Sequence, residues 1–308
     1  MASHLQTIYD KEWVPSKFGL INPNTLCYFN SLLQSLMSCS APTQYIIEWP
    51  EHDRTSKKDV KPDNPLWDTF HTFLLDAMGD TPPKSAKPVI EMLRAKLVEL
   101  KKPRFGIGQE DAGEGFHLLL DCMGDDAYAQ HFMHRYVHDM YCPECKDIVS
   151  SKNDTSFHVE IPPNYAQNVV EWEDDSEVNY SGVLNQYIRH HITVLDDYKC
   201  PKCKNEKNII RLSHMVLVPN VLVIQYNKFA GKFTSPCPLT LTFPSKSNKN
   251  PLNYKLVAKI EHFGSMGGGH YVAHCLRNDK PLLFNDSSVS EGTFTTSPAT
   301  YICFYHIV

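Results

Sequence analysis

The residues with most chemistry to offer are a cysteine at a helix start, a histidine behind a run of glycines, an Asn-Asp pair and two close pairs of cysteines. In "INPNTLCYFNSLLQSL", residues 21–36, a polar, turn-prone stretch gives way at Cys27 to helical spacing. A thiol placed there meets the positive end of the helix dipole and unpaired backbone N–H groups, which lower its pKa and favour the nucleophilic thiolate. Packing is the competing reading, because unpaired cysteines are among the most buried residue types. In "HFGSMGGGHYVAHC", residues 262–275, Gly267 to Gly269 precede His270, which opens an alternating strand. Such glycines permit positive φ and close backbone approach, although a flexible hairpin loop with an incidental histidine explains them equally. In "LLFNDSSVS", residues 282–290, Asn285 and Asp286 end a strand. Either could accept from the far ring nitrogen of a histidine and fix its tautomer; Asn-Asp before serines is also ordinary turn chemistry. Together, these residues fit the logic of a cysteine-protease triad.

The cysteine pairs are Cys142-Pro143-Glu144-Cys145 and Cys200-Pro201-Lys202-Cys203. Each is a tight knuckle able to present two thiolates to one tetrahedral zinc, and the two complete a four-cysteine structural site if both lie at strand turns. Redox disulfides are the alternative, without a thioredoxin-like βαβ context to support them. Zinc ribbons also serve nucleic-acid binders, but the acidic stretch Glu171 to Glu177 and a net charge of −5 argue against a phosphate-backbone partner.

The elements that must position these residues change character along the chain. Helical spacing runs over 27–39, 65–78, 88–100 and 110–123, separated by polar, proline-rich loops. From about residue 132 the pattern turns to Val-, Ile-, Tyr- and Phe-rich strands, at 132–142, 154–162, 209–219, 220–229, 254–263, 270–277 and 300–308. An acidic loop over 169–182 and a short helix near 182–191 interrupt them. A helical first part followed by antiparallel strands predicts an α+β fold with the active site in the cleft between them. Across 308 residues, 42% hydrophobic and 21% charged, the composition is that of a globular protein. No apolar run reaches the roughly 20 residues of a membrane span, and the first residues carry no secretory signal. A reducing, intracellular setting is therefore expected.

In order along the chain, these motifs resemble the ubiquitin-specific protease family, the papain-like cysteine deubiquitinases. The Cys box stands as "GLINPNTLCYFNSLLQ", Gly19 to Gln34. Gln109-Glu110-Asp111-Ala112-Gly113-Glu114 and Tyr226-Asn227-Lys228-Phe229 match two further boxes. His262, Gly264, Gly269, His270, Tyr271 and Ala273 match the His box, and Phe284, Asn285, Asp286 and Val289 the element after it. The resemblance spans Gly19 to Tyr305. It implies a single catalytic domain over 1–308 with a right-hand fold: a helical thumb (about 18–130), zinc-ribbon fingers (131–215) and an antiparallel palm (216–308). It implies a thiol-dependent hydrolase that cuts after the C-terminal glycine of ubiquitin. Cys27 would be the nucleophile, His270 the general base and later acid, and Asn285 the orienting residue with Asp286 beside it. Asn22 would stabilise the oxyanion. Gln109, Asp111, Glu114, His262, Gly269 and Tyr271 would contact the substrate, Asp111 facing its basic tail. One structural Zn2+ would sit on Cys142, Cys145, Cys200 and Cys203. The partner would be ubiquitin or a ubiquitin-like protein and its conjugates, met by a monomer in the cytoplasm or nucleus, without nucleic acid or membrane.

Four departures stand out. Asn24 occupies the place of a family glycine, where its tolerance of left-handed backbone could preserve the turn. Leu26 replaces a threonine, Gly115 an aromatic and Leu282 a frequent tryptophan. They leave open a protease for another ubiquitin-like modifier, or a catalytically weak ubiquitin-binding homologue. Cys39, Cys122, Cys237, Cys275 and Cys303 receive no role.

Overall fold

The computed structural model describes residues 15–52, 64–169, 182–231, 235–243, 251–265 and 267–308. Most of the acidic loop expected over 169–182 lies outside the described residues.

Among the described residues, six helices fill the first part: α1 (Cys27–Leu36), α2 (Ser40–His52), α3 (Pro65–Met78), α4 (Lys87–Glu99), α5 (Ala112–Met123) and α6 (Asp126–Gln130). Local chemistry sets their ends. Asn64 caps α3 by accepting from Leu66 N–H, with Pro65 at the first helical position, where its missing N–H costs nothing. Asp111 caps α5 through Glu114 N–H, and Gly124 ends it in the left-handed conformation. Helix α2 escapes the sequence reading because Pro42, Thr43, Gln44 and Glu48 blur its apolar face. It begins only four residues after α1 ends, and its Ala41 N–H donates to His306 Nε2 of the last strand at 3.2 Å.

Every residue of α1 is buried, polar ones included. Asn30, Gln34 and Ser35 donate from their side chains: Asn30 Nδ2 to Asp286 Oδ1 at 2.8 Å, Gln34 Nε2 to Phe18 O at 2.9 Å, and Ser35 Oγ to Ser31 O at 2.8 Å. At the C-terminal end the buried Arg277 donates to Gln34 Oε1 at 2.9 Å and to Gln34 O at 3.2 Å. This guanidinium lies where the negative end of the helix dipole favours a cation.

The strands form two sheets. β1 (His134–Cys142), β2 (Asp147–Ser156), β4 (His190–Leu195) and β5 (Ile209–Leu217) make a four-stranded antiparallel sheet in the order β2-β1-β5-β4. β3 (Val159–Ile161), β6 (Val221–Tyr226), β8 (Leu252–Ser265), β9 (Gly268–Arg277), β10 (Lys280–Asn285), β11 (Ser288–Glu291) and β12 (Thr300–Ile307) order as β11-β10-β9-β8-β12-β6-β3, with β7 (Thr240–Phe243) on β8. β3 pairs parallel to β6 and so joins the larger sheet. The short helix expected near 182–191 is α7 (Val183–Arg189). β2 is absent from the sequence reading over most of its length: it is a solvent-facing edge strand, "DIVSSKNDTS", without apolar alternation. The larger sheet buries both faces. One packs on the helices through Val223, Ala258, Ile260, Ala273 and Phe304, the other on a second cluster with Leu222, Ile224, Tyr254 and Tyr305. Helix α1 lies against β8, β9 and β10, which sets Cys27 beside the strand that carries His270.

The aromatic missing at Gly115 is replaced in space. A Cβ on Gly115 would stand 3.3 Å from the Phe105 ring and 3.5 Å from Leu32. Phe105, from the loop before α5, fills that volume and meets Tyr28 edge-on at 5.6 Å. Asn24 departs from the left-handed expectation, being absent from the residues with positive φ. Its N–H instead donates to Asn22 Oδ1 at 3.2 Å, an Asx turn that needs no special backbone. In the glycine-rich hairpin positive φ falls at Gly264, 136°, and at Gly268 within the triple glycine, 159°.

Candidate active site

Helix α1 starts without a capping side chain of its own at Leu26. Asn22 reaches forward instead, its Oδ1 accepting from Leu26 N–H at 2.9 Å. The first-turn N–H groups of Cys27 and Tyr28, together with that of Tyr271 on β9, favour the Cys27 thiolate and pull its pKa down. Burial pushes it up more strongly, and the Asp286 carboxylate adds to the rise. The net direction is upward, against the expectation of a lowered thiol. Cys27 is only 2% exposed, and desolvation of an anion outweighs a helix terminus at this depth. The resting nucleophile is a thiol, and it needs a base.

His270 Nε2 and Asn285 Oδ1 lie 2.7 Å apart. An amide oxygen only accepts, so Nε2 carries the proton and Nδ1 is the basic nitrogen. The residue after His270 thus lies near enough to the nucleophile for its backbone N–H to favour the thiolate. Asp286 takes a different position from its neighbour. At φ 50° it sits in the turn after β10, outside the strand alternation. Its Oδ2 accepts from Asn22 Nδ2 at 3.0 Å and its Oδ1 from Asn30 Nδ2 at 2.8 Å. Asn285 and Asp286 thus address different groups, one the imidazole and the other two amides.

The remaining candidates gather on the cleft side of α5 and β9. Gln109 Nε2 donates to Gly269 O at 2.9 Å, and Gly269 N–H donates to Gln109 Oε1 at 3.2 Å, joining the helical part to the residue before His270. Asp111 Oδ2 accepts from Tyr301 OH at 2.6 Å and Tyr271 OH at 3.3 Å, while Oδ1 caps α5. Glu114 is exposed, its carboxyl pushed up by partial burial and by the charges of Glu110 and Asp111. His262 lies beneath Gly269: a Cβ there would come within 2.4 Å of His262 Nε2, so only glycine fits. Its ring is buried against Tyr271, centroids 4.4 Å apart, and burial lowers its pKa. Two contributors go unnoticed in the sequence. Tyr301 holds Asp111, and Asn30, which stands inside the Cys box without an assigned role, holds Asp286.

The four paired cysteines sit on the smaller sheet, away from Cys27. Cys142 to Cys145 form the β1–β2 turn, and Cys200 to Cys203 lie on the β4–β5 connection. The two knuckles repeat one geometry, each followed by a lysine at positive φ, Lys146 at 52° and Lys204 at 64°. All four Sγ atoms lie within 4.8 Å of one another, with Cys142–Cys203 at 3.6 Å and Cys145–Cys200 at 3.7 Å. A tetrahedron of sulfurs about 2.3 Å from a zinc has edges of about 3.8 Å, so this cluster fits such an ion. It could hold a metal.

The sequence pattern of the family described as "Ubiquitin carboxyl-terminal hydrolase" matches residues 18–305. Ubiquitin carboxyl-terminal hydrolase 15 of Homo sapiens is 31% identical over 126 residues, which is 36% of this chain and 13% of that protein. Probable ubiquitin carboxyl-terminal hydrolase 4 of Schizosaccharomyces pombe is 23% identical over 362 residues, 93% of this chain and 58% of that protein. The chain therefore spans much less than the full length of these relatives. Among solved structures, Ubp8 in the SAGA DUB module with Sgf11, Sus1 and Sgf73, bound to monoubiquitin, superposes with a TM-score of 0.68 at 19% identity, covering 100% of this chain and 74% of that one. The same module bound to ubiquitin aldehyde gives 0.64 at 18% identity, with the same coverage. These neighbours share the fold, and both belong to multi-protein modules, so they lend no support to a monomer. With the family pattern covering all but the chain's ends, this chain belongs to the ubiquitin carboxyl-terminal hydrolase family.

Proposed function

We propose that the chain is a cysteine-type deubiquitinase that hydrolyses the isopeptide or peptide bond after the C-terminal glycine of ubiquitin. One observation carries the reading: the imidazole of His270 is held by Asn285 at 2.7 Å on a strand packed against the helix that begins with Cys27. In this reading Nδ1 of His270 takes the thiol proton as Cys27 attacks the scissile carbonyl. Asn285 keeps the ring in the required tautomer. The electron pair displaced onto the carbonyl oxygen meets the free N–H of Asn22 and the backbone N–H groups at the start of α1. Collapse of the intermediate expels the amine, protonated by His270, and leaves a thioester. Water, deprotonated by the same histidine, then releases the carboxylate and the thiol.

The raised thiol suits this sequence of steps. The Cys27 thiol keeps its proton until substrate excludes water, and proton transfer to His270 then accompanies attack. Glu110, Asp111 and Glu114 supply negative charge where a basic tail would enter. Zn2+ on Cys142, Cys145, Cys200 and Cys203 would serve structurally, tying the β1–β2 and β4–β5 turns together so that the smaller sheet keeps its shape against the substrate's globular body. The 1–308 chain would act as one catalytic domain, with thumb, fingers and palm at about 18–130, 131–215 and 216–308. A chain carrying both a free thiol nucleophile and a four-thiolate zinc site suits the reducing cytoplasm or nucleus.

The test is a panel of C-terminally electrophilic ubiquitin and ubiquitin-like probes, with Cys27→Ala as the control. Labelling of Cys27 by the ubiquitin probe, lost in Cys27→Ala while ubiquitin binding persists, is the expected result. Labelling by a different modifier alone would move the substrate to that modifier, a reading kept open by Leu26 and Gly115. Ubiquitin binding with no labelling would make the chain a catalytically weak, ubiquitin-holding homologue.

A further inference from the structure

Asn30 lies three residues after Cys27 on α1, close to one helical turn away. It is 2% exposed, and both of its N–H groups are committed. Nδ2 donates to Asp286 Oδ1 at 2.8 Å and to Leu20 O at 3.2 Å. Its own Oδ1 is buried with no hydrogen bond among the described residues. Burying an acceptor without a partner is unfavourable; an apolar side chain of similar volume would remove that orphan but would also strip Asp286 Oδ1 and Leu20 O of the donor they now share. The side chain is therefore kept for what its nitrogen holds.

What it holds is the support of the oxyanion donor. Asp286 stands in a left-handed turn whose carboxylate is clamped from two sides, by Asn30 and by Asn22. The Asn22 amide is likewise pinned at both ends, with Oδ1 on Leu26 N–H and Asn24 N–H and one Nδ2 hydrogen on Asp286. Only the second Nδ2 hydrogen remains, and its direction is set by the plane these bonds define. Of the two amides on Asp286, Asn22 belongs to a partly exposed loop and Asn30 to a helix with every residue buried. Asn30 also grips Leu20, two residues before Asn22, while Leu20 N–H donates to Asp286 O at 2.8 Å. Through Asn30 the helix that carries the nucleophile fixes both the loop and the turn.

We propose that Asn30 is a positioning residue for transition-state stabilisation: through Asp286 it aims the free N–H of Asn22 at the oxygen of the tetrahedral intermediate. This rests on the oxyanion reading of Asn22. Asn30 does not touch substrate, so it should leave ground-state binding alone.

The experiment compares the full chain with Asn30→Ala, Asn22→Ala and the double variant on a fluorogenic C-terminal amide of ubiquitin. It adds affinities for unmodified ubiquitin and for ubiquitin with a C-terminal aldehyde, whose thiol adduct places an oxygen where the intermediate's would be. Loss of an oxyanion donor costs about 10²- to 10³-fold, so misaiming it should lower kcat by about 10- to 100-fold with KM nearly unchanged. Aldehyde affinity should fall by a similar factor, unmodified ubiquitin should bind normally, and the double variant should be no worse than Asn22→Ala. Asn30→Leu, which keeps the volume, should be as impaired as Asn30→Ala and should melt no lower than it. Additive losses, retained aldehyde affinity, or recovery of kcat in Asn30→Leu would each overturn the proposal and reduce Asn30 to packing. A silent Asn22→Ala would remove the oxyanion reading and this inference with it. An impaired Asn22→Ala with an additive Asn30→Ala removes the inference alone.

Discussion

Replacing Gly19 by alanine should damage catalysis from a residue that touches no substrate. A Cβ at Gly19 would lie 2.4 Å from the backbone C and O of Ser287 and 2.6 Å from Asp286 O. Ordinary contact begins at 3.4 Å, so the turn or the Gly19 segment must move by about 3.4 − 2.4 = 1.0 Å. The obstacle is main chain and cannot swing aside. The turn is also tied to its neighbours, by Leu20 N–H to Asp286 O at 2.8 Å and by the two amides on the Asp286 carboxylate. Overpacking of this kind costs about 1–3 kcal/mol. At about 2 °C per kcal/mol for a chain of this size, melting should drop by about 2–6 °C. The larger effect falls on rate, because a misplacement of about 1 Å in a positioned catalytic group costs about 10²-fold. The assay is kcat on a fluorogenic ubiquitin amide at saturating substrate, with ubiquitin affinity and thermal melting on the same samples. Gly79→Ala is the control: it sits at the end of α3 with φ −88°, and its Cβ would find the nearest backbone at 3.5 Å. It should change neither quantity. If Gly19→Ala keeps the parent's kcat and melting temperature, the packing of the Gly19 segment against the Asp286 turn is not what aligns the site.

Asp286→Asn should lower the pH at which Cys27 reacts with iodoacetamide, since it removes a negative charge that raises the thiol's pKa, even as turnover falls; an unchanged or higher midpoint would contradict the electrostatics. In the parent, alkylation of Cys27 should climb with pH to beyond the ordinary thiol value of 9.0, followed by peptide mass spectrometry. Asn285→Ala should cut kcat by about 10²-fold or more through loss of the His270 tautomer, with Asn285→Asp keeping much of it. If Asp286→Ala alone is inactive and Asn285→Ala is silent, the orienting role belongs to Asp286. Metal analysis of freshly purified, reduced protein should find one zinc per chain. Stripping it with a strong chelator should lower ubiquitin affinity more than kcat and release four titratable thiols, and a full complement of free thiols before treatment would refute the assignment.

Sequence alone determined whatever is written in short spacings. Asn64-Pro65 and Asp111 start helices because an oxygen-bearing side chain and a ring-locked φ satisfy first-turn needs within a few residues. The two C-P-x-C knuckles specify their own turns, so a four-thiolate cluster could be read from spacing before any sheet was known. Strand alternation gave β6, β8, β9 and β12, whose apolar residues must face a core. The order of the motifs was enough to show the family. Other features depended on burial and on contacts between distant segments, which no local pattern encodes. β2 is polar and becomes a strand only because β1 lies beside it with unpaired backbone. Phe105 fills the place left by Gly115 from ten residues upstream. Depth decides whether the Cys27 thiol is raised or lowered, and the helix start by itself suggested the wrong sign. Asn30, Asp286 and Asn22 meet across separations of 256 and 264 residues, and hydrogen bonds of that range exist only once the Cys-box helix has docked on the strand that precedes the turn.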